Sequence, residues 1–205
     1  MLSASIVDIF DYLQPTSTVE ISPTSMQWAK RYLRDGLPLG RALEQLNAEI
    51  YSFFTYKPGA TDHFTPLKEL WKQRVGVCQD YAHLMLSVLR AARIPCRYVC
   101  GYIESTPPSD KGSRGRKLVG SIATHAWVEV LVPGSRWAAY DPTNNCLCGE
   151  QHIAVSYGRD AQEAAPLRGT FKGSGGQKMN VRVMVKRLPE NAKPERADSR
   201  SGVGS

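Results

Sequence analysis

The run CQDYAHLMLSVLRA, Cys78 to Ala91, carries apolar residues on every face of a helix: Ala82, Leu84, Met85, Leu86, Val88, Leu89 and Ala91 leave no side to give to water. A helix of that kind must lie at the centre of a fold, with other elements around it. It has to stop before Pro95, because proline disfavours helix at Ile94 and supplies no N–H.

The chain before this run is helical in pattern and the chain after it is not. A helix is expected from Ser22 or Thr24 to Arg34, capped by a hydroxyl and ended near Gly36 and Pro38. A second covers Leu39–Phe54, where Leu39, Leu43, Leu46, Ile50 and Phe53 recur at spacings of three and four. Lys57-Pro58-Gly59 is a turn, and Thr65-Pro66 opens a third helix with the hydroxyl at its cap and Leu67, Leu70 and Trp71 inward. Beyond Pro95, the segments Cys96–Ile103, Ala126–Val132, Trp137–Asp141 and Val181–Leu188 are short, rich in Val, Tyr and Trp, and partly alternating, so they read as strands. Pro133-Gly134-Ser135 joins the middle two as a hairpin. Helices first and antiparallel strands after define an α+β fold. The expected organisation is an N-terminal arm over 1–21, one core domain over 22–188 and a disordered tail over 189–205, with a flexible basic loop at Ser105–Gly120.

Composition narrows the function. Of 205 residues, 42% are hydrophobic and 22% charged, the balance of a soluble globular chain. No stretch approaches the roughly 20 apolar residues that span a bilayer. The first residues, MLSASIVDIFDYL, hold no basic residue ahead of their apolar part and are broken by Asp8 and Asp11, so they do not form a secretory signal and a cytoplasmic location is expected. The net charge of +7 is spread thinly, and its two denser runs, Lys111–Lys117 and Lys186–Arg200, do not interleave with aromatics; no nucleic-acid partner is expected. Five cysteines, an odd number without a secretory signal, point to reduced thiols.

One of those thiols, Cys78, stands at the first residue of the central helix, after Gly76-Val77. A cysteine thiol has a reference pKa of about 8.5 and attacks carbonyl carbon only as the thiolate. Unpaired N–H groups and the positive end of the macrodipole at a helix N-terminus favour an anion, and the same N–H groups can hold the oxyanion of a tetrahedral intermediate. A small buried hydrophobe is the other reading of such a cysteine. The catalytic reading gains from THAWVEV and WAAYDPTN, where His125 opens one strand and Asp141 closes the next. With a three-residue turn at Pro133–Ser135, Val132 pairs with Arg136, Trp127 lies opposite Asp141, and His125 is a diagonal neighbour of Asp141 on the same face. Such a carboxylate can fix the imidazole tautomer and leave the other ring nitrogen for a thiol.

Three stretches, GVCQDYAHLMLSVLRAARIPCRYVCGY, THAWVEVLVPGSRWAAYDPTNN and HIAVSYGRDAQEAAPLRG, occur in the order found in the bacterial transglutaminase-like superfamily, which this chain resembles from about Ser22 to Leu188. The resemblance implies a papain-like core, N-terminal helices packed on an antiparallel sheet. It also implies Cys78 as nucleophile, His125 as general base and acid, and Asp141 as the group that orients it. The activity implied is acyl transfer from a glutamine carboxamide or peptide amide through a thioester on Cys78, resolved by an amine or by water. The partners expected are a protein or peptide substrate and an amine acceptor. A cysteine peptidase or amidase, or a non-catalytic binding module on the same core, are the alternatives. Longer members carry a β-rich segment ahead of this core, for which the arm offers no room.

No cofactor and no metal are expected, and no calcium-loop pattern is present. A zinc set of Cys96, Cys100, Cys146 and Cys148, with His152 nearby, lacks the usual two-residue knuckle spacing. Candidates for a second oxyanion donor are Gln79, Tyr56 and Trp71. Asp80 is expected to point away from the thiol, His83 to be a satisfied core residue, Trp127 and Trp137 to be packing or cleft walls, and Gly158-Arg159-Asp160 to be a structural turn.

Overall fold

A computed structural model describes residues 6–63, 65–104, 118, 119, 124–165, 183 and 185 of the chain. Its elements in order are α1 (Ile6–Asp11), α2 (Pro23–Tyr32), α3 (Leu39–Phe53), β1 (Thr55–Tyr56), α4 (Leu67–Gln73), β2 (Val75–Gly76), α5 (Cys78–Ala91), β3 (Cys96–Ile103), β4 (His125–Val132), β5 (Arg136–Asp141), β6 (Cys146–Leu147) and β7 (His152–Gly158). The architecture is α+β, with helices packed on a five-stranded antiparallel sheet of order β6-β5-β4-β3-β7.

Helix α5 is the centre that its all-round apolar sequence demands. Every residue from Asp80 to Arg90 is buried, and Leu84, Met85, Leu86, Val88 and Leu89 have no exposed surface. Each such side chain contributes roughly 1.5–3 kcal/mol by leaving water. On one side α5 meets α2, where the Ser25 and Ser87 hydroxyls pair at 2.6 Å, and an aromatic cluster of Trp28 from α2, Phe53 and Phe54 at the end of α3, and Trp71 from α4. On the other it meets Tyr98, Cys100, Ala126, Val128 and Val130, the inward-alternating residues of β3 and β4.

The helix boundaries follow local chemistry. Ser22 caps α2, accepting the Ser25 N–H at 3.1 Å while the Ser25 hydroxyl accepts the Ser22 N–H at 3.2 Å. Helix α4 departs from the expected start: its N-cap is Pro66, and the Thr65 hydroxyl is spent one turn earlier, accepting from Asp62 N–H and donating to Asp62 Oδ1. Residues before Ser22 hold a short helix and then pack onto the core, with Val19 fully buried and Thr18 Oγ1 donating to Asp160 at 2.8 Å. Strand β7 was not expected from the sequence. It is an edge of the described sheet, and Ile153, Val155 and Tyr157 are exposed, so it lacks the inward apolar alternation that marks a half-buried strand. The strand expected over Val181–Leu188, the Ser105–Gly120 loop and the 189–205 tail lie outside the described residues except for Leu118, Val119, Val183 and Val185.

Two features of the sheet place the residues of interest. The β4–β5 turn is three residues long, with Gly134 and Ser135 at positive φ, so Val132 pairs with Arg136 and Val128 with Tyr140. Between Cys100 and Gly101 the β3–β7 register slips by one residue. At Gly101 the two neighbouring strands come so close that a Cβ would lie 2.1 Å from the Ile153 carbonyl oxygen and 2.5 Å from the Trp127 ring. Gly101→Ala therefore forces backbone apart, and a loss of about 2 kcal/mol or more is expected in urea unfolding. Gly40→Ala in α3, where nothing lies within 4 Å, is expected to leave stability equal or higher. Equal stability of Gly101→Ala and the parent would contradict the close approach.

Candidate active site

The N-terminus of α5, the start of β4 and the end of β5 meet at one end of the sheet. Cys78 is the first residue of α5 and is 9% exposed, so the core holds it almost completely. The helix start is shaped by Gly76 and Asp80. Asp80 Oδ2 accepts the Val77 N–H at 2.7 Å and the Thr61 hydroxyl at 2.6 Å, turning the carboxylate back on the N-cap backbone. A Cβ on Gly76 would sit 2.7 Å from that oxygen, which is why glycine stands there. Burial raises the Asp80 pKa, against the lowering effect of these two donors.

His125 and Asp141 are fully buried and joined: His125 Nε2–H donates to Asp141 Oδ2 at 2.8 Å. The other carboxylate oxygen accepts the Thr143 and Asn144 N–H groups at 2.9 and 3.1 Å, so the DPTN turn after β5 folds around its own first side chain. Asn144 Nδ2 adds a donor to Oδ2 at 2.7 Å and also reaches the Val119 carbonyl at 2.9 Å, while Val119 N–H returns to Asn144 Oδ1. The end of the basic loop is thereby tied to the carboxylate. The second ring nitrogen of His125, Nδ1, is buried and makes no hydrogen bond.

Electrostatics follows from this packing. Burial works against a charged imidazole, but the hydrogen bond and charge of Asp141, together with the neighbouring Cys78, outweigh it and lift the His125 pKa above its ordinary value. Burial likewise opposes ionisation of Asp141, and the bonds from His125, His152 and Asn144 with the His125 charge overcome it, holding the carboxyl well below the usual range. With Nε2 committed to Asp141, Nδ1 is the ring nitrogen left for the neighbouring thiol.

The residues expected from sequence thus gather as a group: Cys78, His125 and Asp141 converge. Of the candidate oxyanion donors, Gln79 is engaged outward with His63, and the Trp71 indole lies in the aromatic cluster. Tyr56 pairs with Gly76 through β1 and β2, and its pKa is raised by burial and then by the charges of Cys78 and Asp141, so it is the one of the three that senses the site. Trp127 is buried, edge-on to His152 at 5.3 Å; Trp137 instead stacks on Arg97 at 4.2 Å and on Tyr12 and does not border the site. His83 accepts the Ala161 N–H at 3.1 Å, the satisfied core position that its place on α5 suggested. Gly158-Arg159-Asp160 closes β7 onto α5: the Arg159 carbonyl accepts from buried Arg90, and Asp160 Oδ1 accepts the Glu163 N–H.

The four remaining thiols do not form a zinc set. Cys96 and Cys100 face the helix side of β3, whereas Cys146 and Cys148 sit in and just after β6 on the far edge, and no disulfide joins any of the five cysteines. Among the described residues the one cluster with metal-ligand spacing is His125, Asp141 and His152, whose ligand atoms lie within 4.8 Å of one another. His152, which its place in the chain sets beside the thiols, is brought to Asp141 only by the sheet register, and no local sequence pattern signals that contact.

Comparison with known proteins gives the same frame. The family model of the transglutaminase-like superfamily core matches residues 26–142. An uncharacterised protein of Mycobacterium tuberculosis is 37% identical over 171 residues, covering 81% of this chain and 53% of that protein, so the chain spans about half the length of this relative. A protein-glutamine gamma-glutamyltransferase of Pseudomonas aeruginosa is 39% identical over 103 residues, 49% of this chain and 14% of that one. The crystal structure of a protein from Cytophaga hutchinsonii, provisionally named a cysteine protease, superposes with a TM-score of 0.62 at 26% identity, over 80% of this chain and 53% of that one.

The buried histidines set opposite pH limits on stability. His125, raised above its ordinary pKa of 6.5, contributes stability that is complete below pH 6.5 and is lost as pH rises through its folded value. His83 is pushed down to about 4, by burial first and by Arg90, so the unfolded chain alone takes up its proton as pH falls from 6.5 to 4. That uptake removes about 3 kcal/mol over the window. Maximal stability is expected near pH 6.5 in denaturant titrations. His83→Gln is expected to flatten the acid side between pH 6.5 and 4, and an unaltered acid slope in that variant would contradict the assignment.

Proposed function

The chain belongs to the transglutaminase-like superfamily, and from that premise we propose that it is a cysteine acyltransferase working through Cys78, His125 and Asp141. The Cys78 thiolate attacks the carbonyl carbon of a glutamine carboxamide or peptide amide, and the His125 imidazolium gives its Nδ1 proton to the departing amine. A thioester remains on Cys78. An incoming amine or a water then attacks it, His125 takes the proton from the attacking group, and the sulfur leaves to regenerate the starting pair. Asp141, ionised and fixed by its donors, holds the imidazole with Nδ1 available to the sulfur and stabilises its charge. The Cys78 backbone N–H at the start of α5 is suited to the oxyanion of the tetrahedral intermediate.

The observation that carries this reading is the buried His125–Asp141 pair, whose second ring nitrogen has no other partner and whose pKa is raised in part by the neighbouring Cys78. The substrate class is a protein or peptide, with an amine as acceptor. A cysteine peptidase or amidase uses the same three residues and differs only in leaving group and acceptor; the likeness to the Cytophaga protein favours keeping it as the second reading. Which of the two operates depends on how well the site excludes water once the thioester forms.

Iodoacetamide alkylation of all five cysteines, followed by peptide mass spectrometry from pH 4 to 9, tests the pair. Cys78 is expected to react fastest and to remain reactive below pH 7, and His125→Ala to slow it. Cys78 reacting no faster than Cys146 would contradict the reading. With a glutamine peptide as acyl donor, Cys78→Ala is expected to abolish turnover and Asp141→Asn to lower it on the order of 100-fold or more. Turnover is expected to persist in a chelator, and activity lost there and restored by calcium would contradict a mechanism carried by these side chains.

A further inference from the structure

The proposed triad leaves one buried imidazole unexplained. His152 opens β7, its side chain is 4% exposed, and its Nε2 lies 3.1 Å from the same Asp141 oxygen that His125 engages. Gly149 N–H donates to His152 Nδ1 at 3.3 Å. A backbone N–H can only donate, so Nδ1 carries the lone pair and Nε2 carries the proton, which is directed to Asp141. The Trp127 ring packs edge-on against His152 at 5.3 Å and restrains its plane.

This placement depends on the β3–β7 register. Before the slip Cys100 pairs with Ser156, and after it Gly101 pairs with Ala154 and Ile103 with His152. Without the extra residue in β7, Ile103 would face Ile153, and a one-residue slip sends every side chain to the opposite face. The bulge therefore puts His152, and not Ile153, on the face of Asp141. Gly101, which pairs with His125 on its other side, is the residue small enough to permit the close strand approach there.

We propose that His152 is a positioning residue for the reaction: a neutral imidazole that donates its Nε2 proton to Asp141 and so holds the carboxylate that orients His125. The proposal rests on the acyl-transfer reading above. Asp141 receives His125, His152 and Asn144 on one oxygen and two backbone N–H groups on the other, five donors for its roughly four lone-pair sites, so that no site is left unmet. A carboxylate so bound neither rotates nor gains a proton within its buried pocket. His152 acts on Cys78 only through Asp141 and His125.

The test compares Cys78 alkylation by iodoacetamide across pH 4 to 9 in the full chain, His152→Leu, His152→Gln and His152→Asn, each checked for a cooperative unfolding transition. Gln places an amide N–H near the Nε2 position; Leu has no donor and Asn is too short to reach. The expected result is that His152→Leu and His152→Asn slow alkylation below pH 7 on the order of 10-fold or more, the effect of one hydrogen bond to a charged group. His152→Gln is expected to recover to within about threefold of wild type. The role is overturned if all variants keep the wild-type pH profile, or if Gln is as slow as Asn while folded. If His152→Leu does not fold, the Gln and Asn pair decides. Wild-type Cys78 lacking low-pH reactivity would instead defeat the acyl-transfer reading, a separable outcome. Stoichiometric divalent metal on the purified wild-type chain, lost in His152→Gln, would overturn the proposal by making the cluster a metal centre.

Discussion

A carboxylate without exposed surface is the constraint on which this site depends. Asp141 survives as an anion in the interior only because every lone pair is met, by two N–H groups of its own turn, by the Asn144 amide and by two imidazoles. Leaving a buried charge unpaired costs several kcal/mol, so these partners are required together. The partners come from three parts of the chain. β4 supplies His125, β7 supplies His152, the turn after β5 supplies Asn144, and Asn144 in turn fastens the end of the basic loop at Val119. The charge is thus a point of assembly for half of the sheet, and His125 is lifted above its ordinary pKa because that charge is fixed beside it.

Helix α5 supplies the other half of the arrangement. Its interior position makes the N-terminus a rigid mount, since nothing in α5 can shift without opening the core. Asp80 ties the entering strand to the first turn, and the two-residue parallel pair of β1 and β2 sets Tyr56 beside Gly76, just before Cys78. The sulfur and the imidazole are consequently delivered by two separately rigid elements that share one packed interface, α5 against β4.

Much of this was legible in the sequence because it is encoded by period and by local chemistry. The all-round apolar pattern of α5, the stripe of α3 and the capping serine of α2 needed no tertiary context. The convergence of His125 and Asp141 follows from a three-residue turn and the two-residue period of strands, the thiol stands out by its place at the start of the buried helix, and the family resemblance assigns the three their roles. What escaped was long-range or too short to have a period: the two-residue strands, the start of α4 where Thr65 serves a preceding turn, and the edge strand β7 with its apolar residues outward. His152 escaped for the same reason. Its relation to Asp141 is created by a bulge between Cys100 and Gly101 that no local pattern announces.

The central claim is that Asp141 and Cys78 together keep His125 as an imidazolium in the resting protein. Imidazole nitrogen-15 chemical shifts of the histidine-labelled chain measure this directly. At pH 7.5, roughly 1 unit above the reference histidine value, His125 is predicted to show both ring nitrogens protonated, and Cys78→Ala to bring it toward the neutral form. A His125 that is neutral at that pH and titrates near the reference value irrespective of Cys78 would contradict it.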